Sequence, residues 1–183
     1  MASLIFWGGR TRVKTALCHF CLKSGILCPE CERKVKRGEV TETDIKIARL
    51  LLELEKECPP LQNVYFHKAV EVDNVLAIVV GRGDIARLHS YKGWIAKALE
   101  RKTGKRVQIL EYNVDDRVFL EYLFSPLDVV TINKIWLPDG TTETRVILKG
   151  GRKPPIDIEI LKKLAFKIRG LVLRVEFSRW ALS

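Results

Sequence analysis

Two Cys-x-x-Cys pairs near the N-terminus, Cys18-His19-Phe20-Cys21 and Cys28-Pro29-Glu30-Cys31, constrain this 183-residue chain more than any other feature. Such a pair lets two thiolates face one point. Two pairs separated by six residues complete the tetrahedral sulfur shell that zinc prefers. One alternative is a pair of disulfides, disfavoured because Leu4 to Trp7 is too short for a secretory h-region and a cytosolic chain keeps its thiols reduced. An iron–sulfur cluster or a redox pair is another. A full four-cysteine shell leaves no open coordination position, so the expected ion is structural, ordering a segment too short to build its own core. His19, between two ligands, is either a solvent-facing neighbour or the fourth ligand of a Cys₃His variant. Cys58, beside Pro59-Pro60, reads as a half-buried structural thiol.

Charge bears on the partner rather than the fold. Lys and Arg total 32 against 22 Asp and Glu, a formal net charge of +10, and 47% of the residues are hydrophobic, enough to bury a core. The excess is local: residues 1–40 and 126–183 each carry +5, and residues 41–125 balance to zero. Within that neutral middle, Arg82 to Arg106 holds eight bases against only Asp84 and Glu100. A polyanion is the first candidate partner. No apolar run approaches the ~18 residues of a membrane span, so a cytoplasmic protein without membrane contact is expected.

Hydrophobic periodicity then orders the chain. Thr41 to Glu57 reads as an amphipathic helix with Thr41 as N-cap and Asp44 three residues on, stopped by Cys58-Pro59-Pro60. Val64 to Val72 and Val75 to Val80 are strands joined by Asp73-Asn74, and Gly81-Arg82-Gly83 ends the second. A short helix over Asp84 to His89, a turn over Ser90 to Gly93, a helix from Trp94 to Thr103 closed by Gly104, and a strand from Val107 to Tyr112 follow. The order is helix, strand, strand, helix, helix, strand.

The run Val79-Val80-Gly81-Arg82-Gly83-Asp84-Ile85-Ala86-Arg87-Leu88-His89-Ser90-Tyr91-Lys92-Gly93-Trp94-Ile95-Ala96-Lys97, followed by Thr103-Gly104-Lys105-Arg106-Val107, resembles the prokaryotic (type II, αββααβ) KH domain. It resembles more closely the tandem KH module of the archaeal NusA-like transcription factors. In that family a Gly-x-x-Gly loop between two short helices lies against RNA phosphates, where a side chain would block the approach. Here the loop aligns as Ser90-Tyr91-Lys92-Gly93, with serine for the first glycine and His89 before it. The resemblance implies RNA contact by Arg87, Ser90, Tyr91, Lys92, Gly93, Trp94 and Lys97, with Lys92 reaching a phosphate and Tyr91 offering a stacking face. The alternative is a basic helix pair with a solvated face. Trp94 stacks on a base or packs on the sheet, and His89 is expected to be packed rather than catalytic.

Val114 to Phe124 opens a second unit as a helix broken by Ser125-Pro126. Leu127 to Leu137 and Thr142 to Leu148 form a hairpin around Pro138-Asp139-Gly140, and a helix (Ile156 to Ile168) and a strand (Leu171 to Phe177) close the chain. Where the first of the two central helices would stand is Gly150-Gly151-Arg152-Lys153, either a phosphate-binding turn or a plain flexible loop. The expected architecture is therefore α+β: a basic Cys₄ zinc ribbon (1–40), a KH-like domain (41–113) and a second, truncated KH-like domain (114–183). The basic residues around the cysteines would let the ribbon grip phosphates or an acidic protein surface.

No enzyme is expected. Gly81-Arg82-Gly83 lacks the third glycine of a dinucleotide fingerprint, three histidines are too few and dispersed for a triad, and the Asp and Glu residues read as solvated surface or caps. The family resemblance implies RNA binding in transcription elongation or termination, with nascent transcript or ribosomal RNA as ligand and RNA polymerase or the ribosome as further partner. A protein-docking or ribosome-associated factor with degenerate loops is the alternative.

Overall fold

The computed structural model describes residues 12–88, 90–150 and 154–178, which form a mixed α+β fold with the cysteine cluster at its N-terminal end. Its centre is a four-stranded sheet in the order β1-β2-β3-β4, comprising Lys14–Thr15 (β1), Tyr65–Val72 (β2), Val75–Val80 (β3) and Arg106–Glu111 (β4). β2 and β3 form the antiparallel hairpin turned by Asp73 and Asn74, and β1 on β2 and β4 on β3 are parallel. The connection from β3 to its parallel neighbour β4 runs through two helices, Asp84–Arg87 (α4) and Lys92–Thr103 (α5).

Both faces of this sheet are covered, which explains why all six residues of Val75–Val80 are buried and why the strand reads as an unbroken apolar run. Leu76, Ile78 and Val80 point toward Glu42–Leu54 (α3) and α5, joining Phe66, Ile47, Leu51, Ile95 and Leu99 in one core. Val75 and Ala77 point the other way, into a second core built by Asp116–Phe124 (α6) and Ile158–Arg169 (α7) with Leu110, Phe119, Leu120 and Leu164. Each fully buried Leu or Phe here contributes ~1.5–3 kcal/mol.

Local signals behave as their chemistry dictates. Thr41 caps α3 in a capping box with Asp44, whose carboxylate also accepts from the Ala69 N–H at 2.6 Å and so ties the helix to β2. Asp115 and Asp157 cap α6 and α7 by accepting from Val118 and Glu159 N–H groups at 2.9 Å.

The second sheet is β5-β6-β7, comprising Val129–Trp136, Thr142–Leu148 and Leu173–Phe177, with β5 and β6 antiparallel and β6 and β7 parallel. Among the described residues no helix stands between β6 and α7. The second unit is fastened to the first by Lys163 with Asp73 (3.5 Å), the Lys167 ammonium donating to the Glu71 carbonyl (3.3 Å), and α7 packed on β2.

The cysteine-bearing segment differs from the expected ribbon. It contributes only the two-residue β1 and is otherwise helical, with His19–Ser24 (α1) and Pro29–Lys36 (α2). Each Cys-x-x-Cys pair places its first cysteine at the N-cap and its second in the first helical turn, where positions three apart share a face. Val13, Leu17, Leu22 and Val40 of this segment belong to the same core as α3 and α5.

Candidate metal centre and nucleic-acid interface

The helical knuckles bring the Sγ atoms of Cys18, Cys21, Cys28 and Cys31 within 4.8 Å of one another. A tetrahedral ion with metal–sulfur bonds of ~2.3 Å needs sulfurs about 3.8 Å apart, so the four fit one metal with small adjustments. All four are free thiols. Backbone N–H groups point at the sulfurs as they do around thiolates: the Cys28 N–H donates to Cys21 Sγ at 3.1 Å and the Cys18 N–H to Cys31 Sγ at 3.4 Å. These contacts divide the acidities. The Cys31 N–H, with the Cys31 thiol next, lowers Cys28 to about 7, and the bond shared with Cys18 pushes Cys21 up to about 12. Four thiols this close cannot all ionise alone; a cation among them removes the conflict.

His19 is not part of this group. Its Nδ1 lies 2.9 Å from the Arg12 guanidinium, which can only donate, so Nδ1 is the acceptor and the ring is neutral. Burial and then the charge of Arg12 push its pKa down, in keeping with that tautomer. His19→Ala is expected to leave metal content unchanged while destabilising the segment slightly, checked by elemental analysis of the purified variant. Cys58 is fully buried in the core against Leu61, more deeply than its sequence implied, and burial raises its pKa.

The basic shell around the cysteines is partly neutralised at short range. Lys34 pairs with Glu30 at 3.7 Å, Lys36 with Glu32 at 2.7 Å and Arg37 with Glu39 at 3.7 Å. Arg10 lies outside the described residues.

The expected contact residues between β3 and β4 divide into two sets. Ser90, Tyr91, Gly93, Trp94 and Lys97 are exposed, with Tyr91 45% and Trp94 37% accessible. Ile95, Ala98 and Leu99 take the inward face of α5, and Trp94, one turn before Ala98, lies at the margin of that face with part of its ring in solvent. Nothing lies within 4 Å of where a Cβ on Gly93 would stand, leaving its backbone open to close approach. Arg87 is exposed but pairs with Asp84 at 3.3 Å. His89 lies outside the described residues.

Lys92 departs from expectation. It belongs to the first turn of α5, which begins two residues earlier than the sequence reading placed it, and its ammonium sits 5.0 Å from the Tyr122 ring centroid. Burial lowers its pKa, opposed by the charge of Glu111. Tyr122 is pushed up by burial and by Glu111. The lysine therefore turns in toward a buried carboxylate and a ring contributed by β4 and α6, rather than out toward a phosphate.

Two buried carboxylates, Asp84 and Glu111, set the shape of this region, where solvated surface or caps were the expectation. Asp84 accepts from the Tyr65 N–H at 2.8 Å, and a Cβ on Gly81 would lie 2.6 Å from its Oδ2, so the turn requires glycine. Glu111 accepts from the Gly83 N–H, where Gly83 has φ +81. The only sequence cue was Asp84 directly after Gly81-Arg82-Gly83, and Glu111, far along the chain, offered none.

Gly150 lies against the end of the last strand. Its Cβ would lie 2.5 Å from the Ser178 carbonyl, and its N–H donates to Ser178 Oγ at 3.3 Å, extending the contact of β6 with β7. Gly151, Arg152 and Lys153 lie outside the described residues.

Among the described residues no helix is long and apolar enough to cross a membrane. No protein-family model matches the chain. Over 77 residues it is 31% identical to the probable transcription termination protein NusA of Methanocaldococcus jannaschii, a stretch that is 42% of this chain and 40% of that protein. The chain thus matches well under half the length of this relative. The match and the cysteine cluster fit a NusA-like chain with a metal site. The crystal structure of APE1850 is similar with a TM-score of 0.47 and 19% identity, covering 76% of this chain and 100% of that one.

Proposed function

We propose that this chain is an RNA-binding protein of the archaeal NusA-like class, acting in the cytoplasm in transcription elongation or termination, with residues 41–113 as a KH-like domain. Residues 114–183 form a related, shortened unit, and a structural zinc ion held by Cys18, Cys21, Cys28 and Cys31 braces the N-terminal segment. It binds without catalysis. The observation that carries the reading is the helix–turn–helix between parallel β3 and β4, whose turn and second helix leave Tyr91, the Gly93 backbone, Trp94 and Lys97 exposed. Bases stack on the rings, and Lys97 and Arg87 neutralise phosphates.

Such binding releases counterions. Affinity for a single-stranded oligoribonucleotide is expected to fall about tenfold or more between ~50 and ~200 mM salt, and Lys97→Glu to weaken it with a shallower salt slope. Fluorescence anisotropy with labelled decauridine measures both. Absence of affinity at low salt overturns the reading.

The inward turn of Lys92 and the serine at position 90 favour a second reading, a protein-docking or ribosome-associated factor that binds RNA polymerase or the ribosome through protein. A complex that survives nuclease during pull-down supports it, and release by nuclease returns the protein to RNA.

A further inference from the structure

Beyond the helix–turn–helix, the far face of the first sheet carries an organised set of rings. Tyr65 on β2, Gly81 after β3 and Tyr112 after β4 lie side by side. The Gly81 N–H donates to the Tyr65 carbonyl and the Tyr112 N–H to the Val80 carbonyl, each at 2.8 Å. The register of β2 against β3 slips between Phe66 and Lys68, so His67 is the extra residue of a β-bulge. The bulge sets its ring between the two tyrosines. Tyr65 and His67 have centroids 4.4 Å apart at 48°, and His67 stacks on Tyr112 at 4.0 Å and 19°. Gly81 has no side chain to separate them, and its Cβ would crowd Tyr65 Cβ at 3.2 Å.

These rings are not core. Tyr65 is 37% and Tyr112 49% accessible, and neither belongs to the two buried clusters. Partly exposed tyrosine rings, set on either side of His67 in a short column, are a preorganised surface for one more flat ring. Lys68 beside His67 and the exposed Arg82 beside Gly81 make no ion pair among the described residues, and they supply positive charge at the edge of the column. The chain as a whole carries +10. Planar rings bordered by unpaired cations match an unpaired nucleobase followed by its phosphate.

We propose that Tyr65, His67 and Tyr112 form a base-stacking platform for single-stranded RNA, separate from the turn at residues 90–93, with Lys68 and Arg82 on the adjoining phosphates. The platform rests on the RNA-binding reading and adds a second contact on the opposite side of the sheet from α5. Asp84 joins the two regions physically, since its carboxylate holds both the Tyr65 N–H and Arg87.

The test uses the full chain, fluorescein-labelled decauridine, and the same oligomer carrying 5-iodouridine for photocrosslinking. Tyr112→Ala is expected to weaken binding about tenfold, the effect of removing one base–aromatic stack, and Tyr112→Phe to bind within about twofold of the parent. Crosslinks on the unaltered chain should map to peptides containing Tyr65 or Tyr112. Unchanged affinity of Tyr112→Ala, with crosslinks confined to the Tyr91–Trp94 peptide, overturns the platform and leaves the RNA-binding reading standing. A platform that serves a protein partner gives that same result. If the parent binds no RNA at low salt, both fall. Should Tyr112→Ala fail to fold by circular dichroism, the crosslink map of the unaltered chain decides.

Discussion

Stripping the metal from the four-cysteine site, by a strong chelator or by Cys21→Ser, is expected to unfold the segment from residue 12 to residue 40 and lower the thermal midpoint by about 10 °C. α1 has six residues and α2 eight, both shorter than the ~12–15 that a helix needs to persist alone in water. The burial of Leu17 and Leu22 in the core beside α3 orders them in part, and an ion shared by the four thiols would supply the rest. Removing the ion leaves Cys21, a completely buried thiol, with no reason to ionise, and abolishes the centre on which both helix starts converge. A loss of ~3 kcal/mol moves the midpoint of a domain this size by roughly 10 °C. The remaining sheet should keep its protection, so hydrogen exchange would show loss confined to the N-terminal segment. Elemental analysis should give about one zinc in the parent and almost none in Cys21→Ser. A variant that retains its zinc and its exchange protection refutes the assignment.

Asp84→Ala is expected to cost ~2–3 kcal/mol in urea unfolding and to weaken RNA binding about tenfold. The carboxylate is buried, accepts from the Tyr65 N–H and holds Arg87, so its removal strands a backbone donor and frees α4 from the strand ends. Asp84→Asn keeps an acceptor and should lose about half as much stability. The affinity loss arises because α4 positions the turn at Ser90 and Tyr91, not because Asp84 touches RNA. If Asp84→Ala is as stable as the parent, the carboxylate does not hold the turn.

Much of this was legible because it is local. The capping box of Thr41 and Asp44 lies within four residues, the cysteine spacing reports within fourteen a four-thiol cluster that could hold a metal, and the strands announce themselves by β-branched runs. The inward path of Lys92 was not legible, because the carboxylate and ring that draw it in come from Glu111 and Tyr122, which follow it in β4 and α6. Asp84 and Glu111 were equally opaque. An acidic side chain reads as solvated until a fold puts unpaired N–H groups in front of it. The knuckle helices were missed for a different reason, since a cysteine at an N-cap carries no capping signature and the metal spacing is the same in a ribbon or a helix.

The sequence by itself determined the four-cysteine cluster, the order of the strands and long helices, and the concentration of positive charge between Arg82 and Arg106. These depend on spacings of a few residues and on side-chain chemistry that no partner changes. Only the tertiary structure decided which of the charged and aromatic residues face outward. Burying both faces of β3 took α6 and α7 onto the back of the first sheet, turned Lys92 inward, and left the Tyr65, His67 and Tyr112 rings at the uncovered end. A residue's exposure is set by what packs over it from elsewhere in the chain, and sequence spacing carries no record of that.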